Sequence, residues 1–240
     1  MDLSIVIPAK NEKDNIEPLI NEIIAAISGI YDFEIIYVDD GSDDGTFEEL
    51  LRHKQQGKAF IKVLKHQYSV GQSTAICTGV KQASGRWVVT MDADGQNDPR
   101  DIPLMVQQAA GQAADSHFCI AGYRKNRKDT AWYRLQSKVA NKIRSKILND
   151  GTPDTGCGLK VFPKHTFLSL PYFDHMHRFI PALVNRMQGK VIVVEVNHRN
   201  RHAGVSKYNM LGRLGVGIVD MFGVMWLQKR YKQPVVIEQQ

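Results

Sequence analysis

The sequence predicts an α/β fold, a mostly parallel sheet flanked by helices, and three observations point to it. Apolar runs alternate with stretches of helical periodicity through the first half of the chain, the pattern of crossover units. Two of those runs end in acidic turns, Asp39-Asp40-Gly41-Ser42 and Asp92-Ala93-Asp94-Gly95-Gln96, and ligands bind beyond the carboxyl ends of strands in such sheets. With 240 residues, 43% of them hydrophobic, the chain can bury a substantial core in one domain, or one domain with an appendage.

The elements follow in order. LSIVIP opens as a strand and is followed by an apolar-periodic stretch from Asn15 to Ile27. FEIIYVD leads into a helix over Phe47–His53, FIKVLK into one over Thr74–Ala83, and WVVTMD into one over Ile102–Ala110. The pattern then changes to a short strand FCIAGYR, a basic helix-like segment Trp132–Leu148, a turn with Gly156 and Gly158, and strands LKVF and Val191–Val196. An apolar, glycine-containing helix from Met210 to Leu227 closes the chain, followed by Lys229-Arg230-Tyr231-Lys232. This divides the chain into a catalytic-type domain over 1–209 and a C-terminal amphipathic element over 210–240, suited to membrane association.

Composition removes several classes. Cys77, Cys119 and Cys157 are odd in number and widely spaced, which disfavours a disulfide framework or zinc ribbon and suits a reducing cytosol. The start MDLSIVIPAKNE lacks the basic and apolar regions of a secretory signal. The longest apolar stretch, Leu214–Leu227, is interrupted by Asp220 and glycines and falls short of a bilayer span. No GxGxxG follows the first strand, against an NAD enzyme. The net charge of +6 is concentrated between Arg124 and Lys146, which hold nine bases against the single acid Asp129. Without an RNA-binding motif or stacking platform, that segment does not read as nucleic-acid binding.

Clustered carboxylates repel one another and resist desolvation, so acidic turns gathered at strand ends suit a cation or a hydrogen-bonding ligand between them. Pro8-Ala9-Lys10-Asn11-Glu12, Asp39-Asp40 and Asp92-Ala93-Asp94 each follow a strand and converge at one edge if the strands are parallel. Asp94 and Gln96 offer oxygens to Mg²⁺ or Mn²⁺, with diphosphate and water completing the shell. Asp39 suits a nucleobase or ribose, whereas Asp43, Asp44 and Thr46 read as turn and cap residues. His175, His177, His198 and His202 show no metal spacing, and Arg178 reads as a site-lining or packing residue.

Together VIPAKNE, VDDGS, GQSTAICTG, MDADGQNDP and RHAGVSKY resemble the family 2 glycosyltransferases of GT-A (Rossmann-like) fold, over residues 3 to 209. Within them the chain is similar to the polyprenyl-phosphate sugar transferases, such as dolichol-phosphate mannose synthase and bacterial undecaprenyl-phosphate glycosyltransferases. The resemblance implies that Pro8, Ala9, Glu12 and Asp39 contact the nucleotide, that Asp92 and Ala93 sit by ribose and diphosphate, and that Asp94 and Gln96 hold the metal. It also implies that Arg124 lies near the phosphates and that Arg201 and Lys207 close over the donor. Cations there stabilise the charge that grows on a leaving diphosphate.

The expected reaction is inverting, metal-dependent transfer of a sugar from a UDP- or GDP-linked donor to a polyprenyl phosphate such as undecaprenyl phosphate, giving a lipid-linked sugar for envelope or lipid A glycosylation. Arg124, Arg127, Arg134 and Ser137 are the candidates for the acceptor phosphate, while neighbouring lysines hold the protein on the anionic inner face of the cell membrane from the cytoplasmic side. Trp132, Leu135, Val139, Ile143 and Ile147 recur at helical intervals and either face that surface or pack on the core. A phosphate acceptor is already ionised and needs no strong base. Asp154 is either a base or acceptor-orienting group, or a loop cap. Alternatives are a saccharide or lipid hydroxyl acceptor, and, from another class, a nonenzymatic nucleotide-binding or membrane-scaffold protein.

Overall fold

The computed structural model describes residues 1–58, 60–124, 144–200 and 210–232. Seven strands form one sheet in the order β3-β2-β1-β4-β6-β5-β7. They are β1 (Leu3–Ala9), β2 (Phe33–Asp39), β3 (Ile61–Lys65), β4 (Trp87–Thr90), β5 (Phe118–Tyr123), β6 (Lys160–Pro163) and β7 (Lys190–Glu195). β6 runs antiparallel to both β4 and β5, and every other pairing is parallel. The carboxyl ends of six strands therefore share one edge, and the turn leading into β6 arrives at that same edge.

Helices α1 (Lys13–Ile27), α2 (Thr46–Gln55), α3 (Gln72–Gln82) and α4 (Ile102–Ala110) are the crossovers foreseen from periodicity, with ends displaced by two residues or fewer. β1 is central and buried on both faces, with Leu3, Ile5, Val6 and Ile7 all at 0% exposure, which is why LSIVIP reads as an unbroken apolar run. Its alternate residues feed two cores. Leu3, Ile5 and Ile7 pack with Ile16, Ile20 and Ile23 of α1 and Met105 of α4. Val6 joins Ile36, Val38, Ala75 and Val80 on the other face. Truncating one of these side chains, Ile5→Ala for instance, costs about 2–5 kcal/mol.

The second half is richer in short elements than the sequence reading allowed. Helices α5 (Lys164–Leu168) and α6 (Ile180–Arg186) and single 3₁₀ turns at Pro99–Asp101 and Met176–Arg178 are too brief to show a period. The basic segment Trp132–Leu148 lies outside the described residues except for its end, which is helical over 144–148. There Leu148 is buried and Ile147 is 41% exposed.

The last helix, α7 (Met210–Arg230), is longer than foreseen and is tied to the core. Val224 is fully buried, and Gln228 Nε2 donates to the carbonyls of Leu148 at 2.9 Å and Ala182 at 3.3 Å. Arg186 Nε donates to Leu227 O, and the Arg186 guanidinium lies over the Tyr231 ring. Its outer face is also apolar: Val216, Ile218, Val219, Phe222 and Trp226 are exposed. Among the described residues no helix is long and apolar enough to cross a membrane.

Candidate active site

The turns after β1 and β2 are sewn together. Asp40 N donates to Ala9 O at 2.8 Å, Asn11 N to Ser42 Oγ at 2.9 Å, and Glu12 N to Thr46 Oγ1 at 2.9 Å. Asn11 and Asp43 exchange hydrogen bonds, Asn11 Nδ2 to Asp43 Oδ1 at 2.7 Å and Asp43 N to Asn11 Oδ1 at 3.0 Å. Asp44 accepts from the Thr46 amide and hydroxyl, closing the expected turn, whereas the N-cap of α2 is Gly45, at φ 91°, and no side chain caps it. Pro8, Ala9 and Glu12 lie along this seam.

Asp39 ends β2 opposite Ala9, with 0% exposure. Its Oδ1 accepts only a long bond from Ser42 N at 3.3 Å, and its Oδ2 is buried without a hydrogen-bond partner among the described residues. A buried carboxylate oxygen left in that state costs free energy that an incoming donor recovers. Asp40 is the opposite case. Its carboxylate receives His66 Nδ1 at 2.8 Å, Ser69 Oγ at 2.7 Å, Val70 N at 3.0 Å and Gly71 N at 2.9 Å. Burial works to raise its pKa, and these donors outweigh burial and hold it below the usual carboxylate range. Gly41, at φ 68°, makes the close approach of this loop possible, because a Cβ there would stand 2.6 Å from Ser69 N.

Two strand spacings away, roughly 10 Å, the second acidic turn follows β4. Asp92 N donates to Asn97 Oδ1 and Gln96 N to Asp94 Oδ1, so the turn folds back on itself and presents both carboxylates. Asp94 is buried, and Asp92 keeps a partial opening to solvent while protein surrounds it closely. Burial first, and the neighbouring Asp94 charge second, push the Asp92 pKa up to about 6, against the pull of Lys160, Arg124 and a hydrogen bond from Gln72. Lys160 is itself buried in β6, where its ammonium donates to Cys157 O.

Arg124 follows β5 and meets Asp154 in a fork: Nε to Oδ2 at 2.7 Å and Nη2 to Oδ1 at 2.9 Å. Burial opposes its charge, and Asp154 more than restores it. Asp154 also accepts from Gly156 N at 3.2 Å, so it caps this loop while pairing with Arg124. Arg144 is also paired, bonded to the buried Asp150 at 2.7 Å. Arg127, Arg134, Ser137, Arg201 and Lys207 lie outside the described residues.

Sequence reasoning gave no role to Gln72, although it lies in the GQSTAICTG motif, to Lys160, or to Tyr172, which contacts the start of α3 beside His177. Ser73 Oγ and His177 Nδ1 share a bond at 2.7 Å, and Thr74 Oγ1 and Tyr172 OH share one at 2.6 Å. Arg199 ties the segment after β7 to the acidic turn after β4, donating from N to Gln96 O and from Nη2 to Asn97 O. One carboxylate–imidazole group with metal-like spacing, Glu17–Glu49–His53, stands apart between α1 and α2, where Arg52 bonds to Glu17 and Glu49.

Residues 4–168 match the family described as Glycosyl transferase family 2. The chain is 35% identical over 236 residues to a dodecaprenyl-phosphate galacturonate synthase of Rhizobium johnstonii, covering 97% of the chain and 68% of that protein. It is 34% identical over 211 residues to an undecaprenyl-phosphate 4-deoxy-4-formamido-L-arabinose transferase of Pectobacterium carotovorum, covering 88% of the chain and 63% of that protein. It thus spans about two thirds of the length of these relatives. Among solved structures, glucosyl-3-phosphoglycerate synthase of Mycobacterium tuberculosis, in complex with Mn²⁺, UDP-glucose and glycerol 3-phosphate, superposes with a TM-score of 0.65 at 19% identity. That superposition covers 95% of this chain and 79% of the other.

Proposed function

The chain belongs to glycosyl transferase family 2 and is a glycosyltransferase of GT-A fold, and from that premise we propose that it transfers a sugar from a nucleotide sugar to a polyprenyl phosphate. The observation that carries the donor half is Asp39, whose buried Oδ2 has no hydrogen-bond partner among the described residues, two strands from the acid pair Asp92 and Asp94. Asp39 reads the nucleoside, beside Pro8, Ala9 and Glu12. Asp92 and Ala93 take the ribose and diphosphate, and Arg201 and Lys207 close over the donor. A UDP-linked donor is favoured over GDP by the UDP-glucose-bound structural relative.

The donor set at the second turn suits a divalent cation, Mg²⁺ or Mn²⁺: oxygens of Asp94 and Gln96 on one short turn, with the mutual repulsion of Asp92 and Asp94 calling for positive charge. Such a cation neutralises the charge that develops on the departing diphosphate. The acceptor phosphate oxygen attacks the anomeric carbon in line, the bond from that carbon to the diphosphate breaks, and configuration inverts. Arg124, Arg127, Arg134 and Ser137 hold the acceptor phosphate.

A phosphate nucleophile suits this site better than a hydroxyl does, because Asp154 is engaged by both arms of Arg124 and an Arg-paired carboxylate is a weak base. Asp154 then orients Arg124 and caps its loop. Two polyprenyl-phosphate sugar transferases among the relatives support the same acceptor.

The acceptor's lipid places the enzyme on an anionic membrane surface on the cytoplasmic side. The exposed apolar stripe of α7 enters the interface, with exposed Lys229, Arg230 and Lys232 at its end. Purified protein is incubated with labelled UDP- and GDP-sugars, Mg²⁺ or Mn²⁺, and either undecaprenyl phosphate or a glycan. Label in the lipid fraction that depends on the cation is expected; label entering only the glycan overturns the acceptor assignment.

A further inference from the structure

The loop His66–Gln72 joins the two acidic turns. At one end four donors from His66, Ser69, Val70 and Gly71 converge on Asp40, next to Asp39. At the other, Gln72, the first residue of α3, donates from Nε2 to Asp92 Oδ1 at 2.8 Å. Against the face of that carboxylate lies Gly158, where a Cβ would stand 2.4 Å from Asp92 Oδ2, 2.5 Å from Cγ and 2.6 Å from Oδ1. Asp92 is thus gripped between an amide and a bare backbone position, and its carboxylate plane is fixed before any ligand arrives. His177 shares a bond with Ser73 in the same helical turn, and His177 N donates to Ser73 Oγ at 3.2 Å, so the support of Gln72 is itself braced.

The chemistry of the donor is also informative. An amide donates to the carboxylate and orients it while leaving its charge in place. We infer that Gln72 is a positioning residue, which sets Asp92 for the ribose and diphosphate of the donor and fixes its distance from the nucleoside-reading Asp39. The inference rests on the donor assignment above and adds a residue to it. Gln72 acts through Asp92.

The test compares the wild type with Gln72→Ala, Gln72→Glu and Gln72→Lys. The readouts are kcat/KM for the nucleotide sugar, calorimetric affinity for UDP and for GDP with Mn²⁺, and Tm. Loss of a bond to a charged partner predicts a fall of roughly tenfold for Gln72→Ala. Gln72→Glu, nearly the same shape but an acceptor beside a carboxylate, falls further, to about a hundredfold. Gln72→Lys, which keeps a donor, recovers catalysis above both Gln72→Ala and Gln72→Glu. Overturning results are equal values for Glu and Ala within twofold of wild type, a Lys variant as weak as Glu, or losses that simply follow Tm. A wild type that binds either nucleotide but transfers nothing to lipid phosphate refutes the acceptor and leaves the binding series to decide Gln72. A wild type that binds neither overturns both readings.

Discussion

Gly158 and Asp92 are in contact so close that any side chain at position 158 must displace the Asp92 carboxylate: a Cβ there would come within 2.4 Å of Asp92 Oδ2 and 2.5 Å of its Cγ. The contact joins the turn before β6 to the acidic turn after β4. Gly158→Ala must therefore rotate Asp92 away from Gln72 or displace the turn. Transfer is expected to fall by about 10- to 100-fold, because misplacement of about 1 Å has that effect. Steady-state kinetics with a nucleotide sugar checks it, and an unchanged kcat/KM would show that the Asp92 position is not set by this contact.

Asp92 and Asp94 carry a conflict that serves binding at the expense of folding. With burial and a like charge beside it, Asp92 resists ionisation. Asp92→Asn removes the repulsion and keeps the shape, so the metal-free protein is expected to gain about 1–2 kcal/mol while transfer is lost. Denaturant melts without and with Mn²⁺ measure the first effect; a destabilised Asn variant would mean that Lys160 and Arg124 already balance the charge.

Part of the acid sensitivity should originate at the other end of the sheet. The buried Glu34 accepts from Ser4 Oγ and Ser84 N, each at 2.6 Å, and pairs with Lys62 at 2.6 Å. Burial raises its pKa, but these three partners prevail and hold it below the ordinary 4.5. A depressed acid contributes stability above its unfolded value, and that contribution drains as pH falls through the folded value. Tm is expected to drop below about pH 4.5, with a shallower slope in Glu34→Gln, which at neutral pH costs about 1–2 kcal/mol. Equal slopes would exclude Glu34 as the source.

Tyr37 is fully buried, and its hydroxyl has no hydrogen-bond partner among the described residues. Burial alone raises its pKa, which keeps it neutral. Removing an unpaired polar atom while keeping the ring should not weaken the core, so Tyr37→Phe is expected to be neutral or to stabilise by about 1 kcal/mol. Urea unfolding decides it; a loss of stability would reveal a partner for the hydroxyl.

What was legible in the sequence tracks how local the cause is. β1 and β2 are visible because burial on both faces demands continuous apolar runs, and α1 because its buried Ile16, Ile20, Ile23 and Ile27 keep helical spacing. The edge strand β7 alternates exposed and half-buried residues, yet VIVVE retains β-branched character and was still readable. Helices α5 and α6 are one or two turns long, held by tertiary packing that no period reports. In the site, Asp39, Asp92 and Asp94 announce themselves because acids at strand ends are costly. Gln72 and Lys160 do not, since an amide at a helix start and a lysine in a strand look ordinary until the fold brings them to Asp92. The nine bases of Arg124–Lys146 were read as one surface, whereas Arg124 and Arg144 are bound to Asp154 and Asp150.

The proposed membrane attachment through α7 makes a prediction separable from catalysis. Phe222 and Trp226 are each 58% exposed, four residues apart on the same helical face, while the core contact of the helix is made by Val224. Replacing both by Ser removes apolar area from the outer face without touching the inner one, so Tm should change by less than about 1 °C per side chain. Their insertion and the nearby bases act together: burial contributes roughly 25 cal/mol per Å², and each base near an anionic surface about 1 kcal/mol. The double variant is expected to bind phosphatidylglycerol vesicles at least tenfold more weakly in co-sedimentation, and binding by the wild type should fall as salt rises. Activity on a detergent-dispersed, short-chain polyprenyl phosphate should be retained. If vesicle binding survives the double change, the stripe is not the membrane contact and attachment must lie elsewhere in the chain.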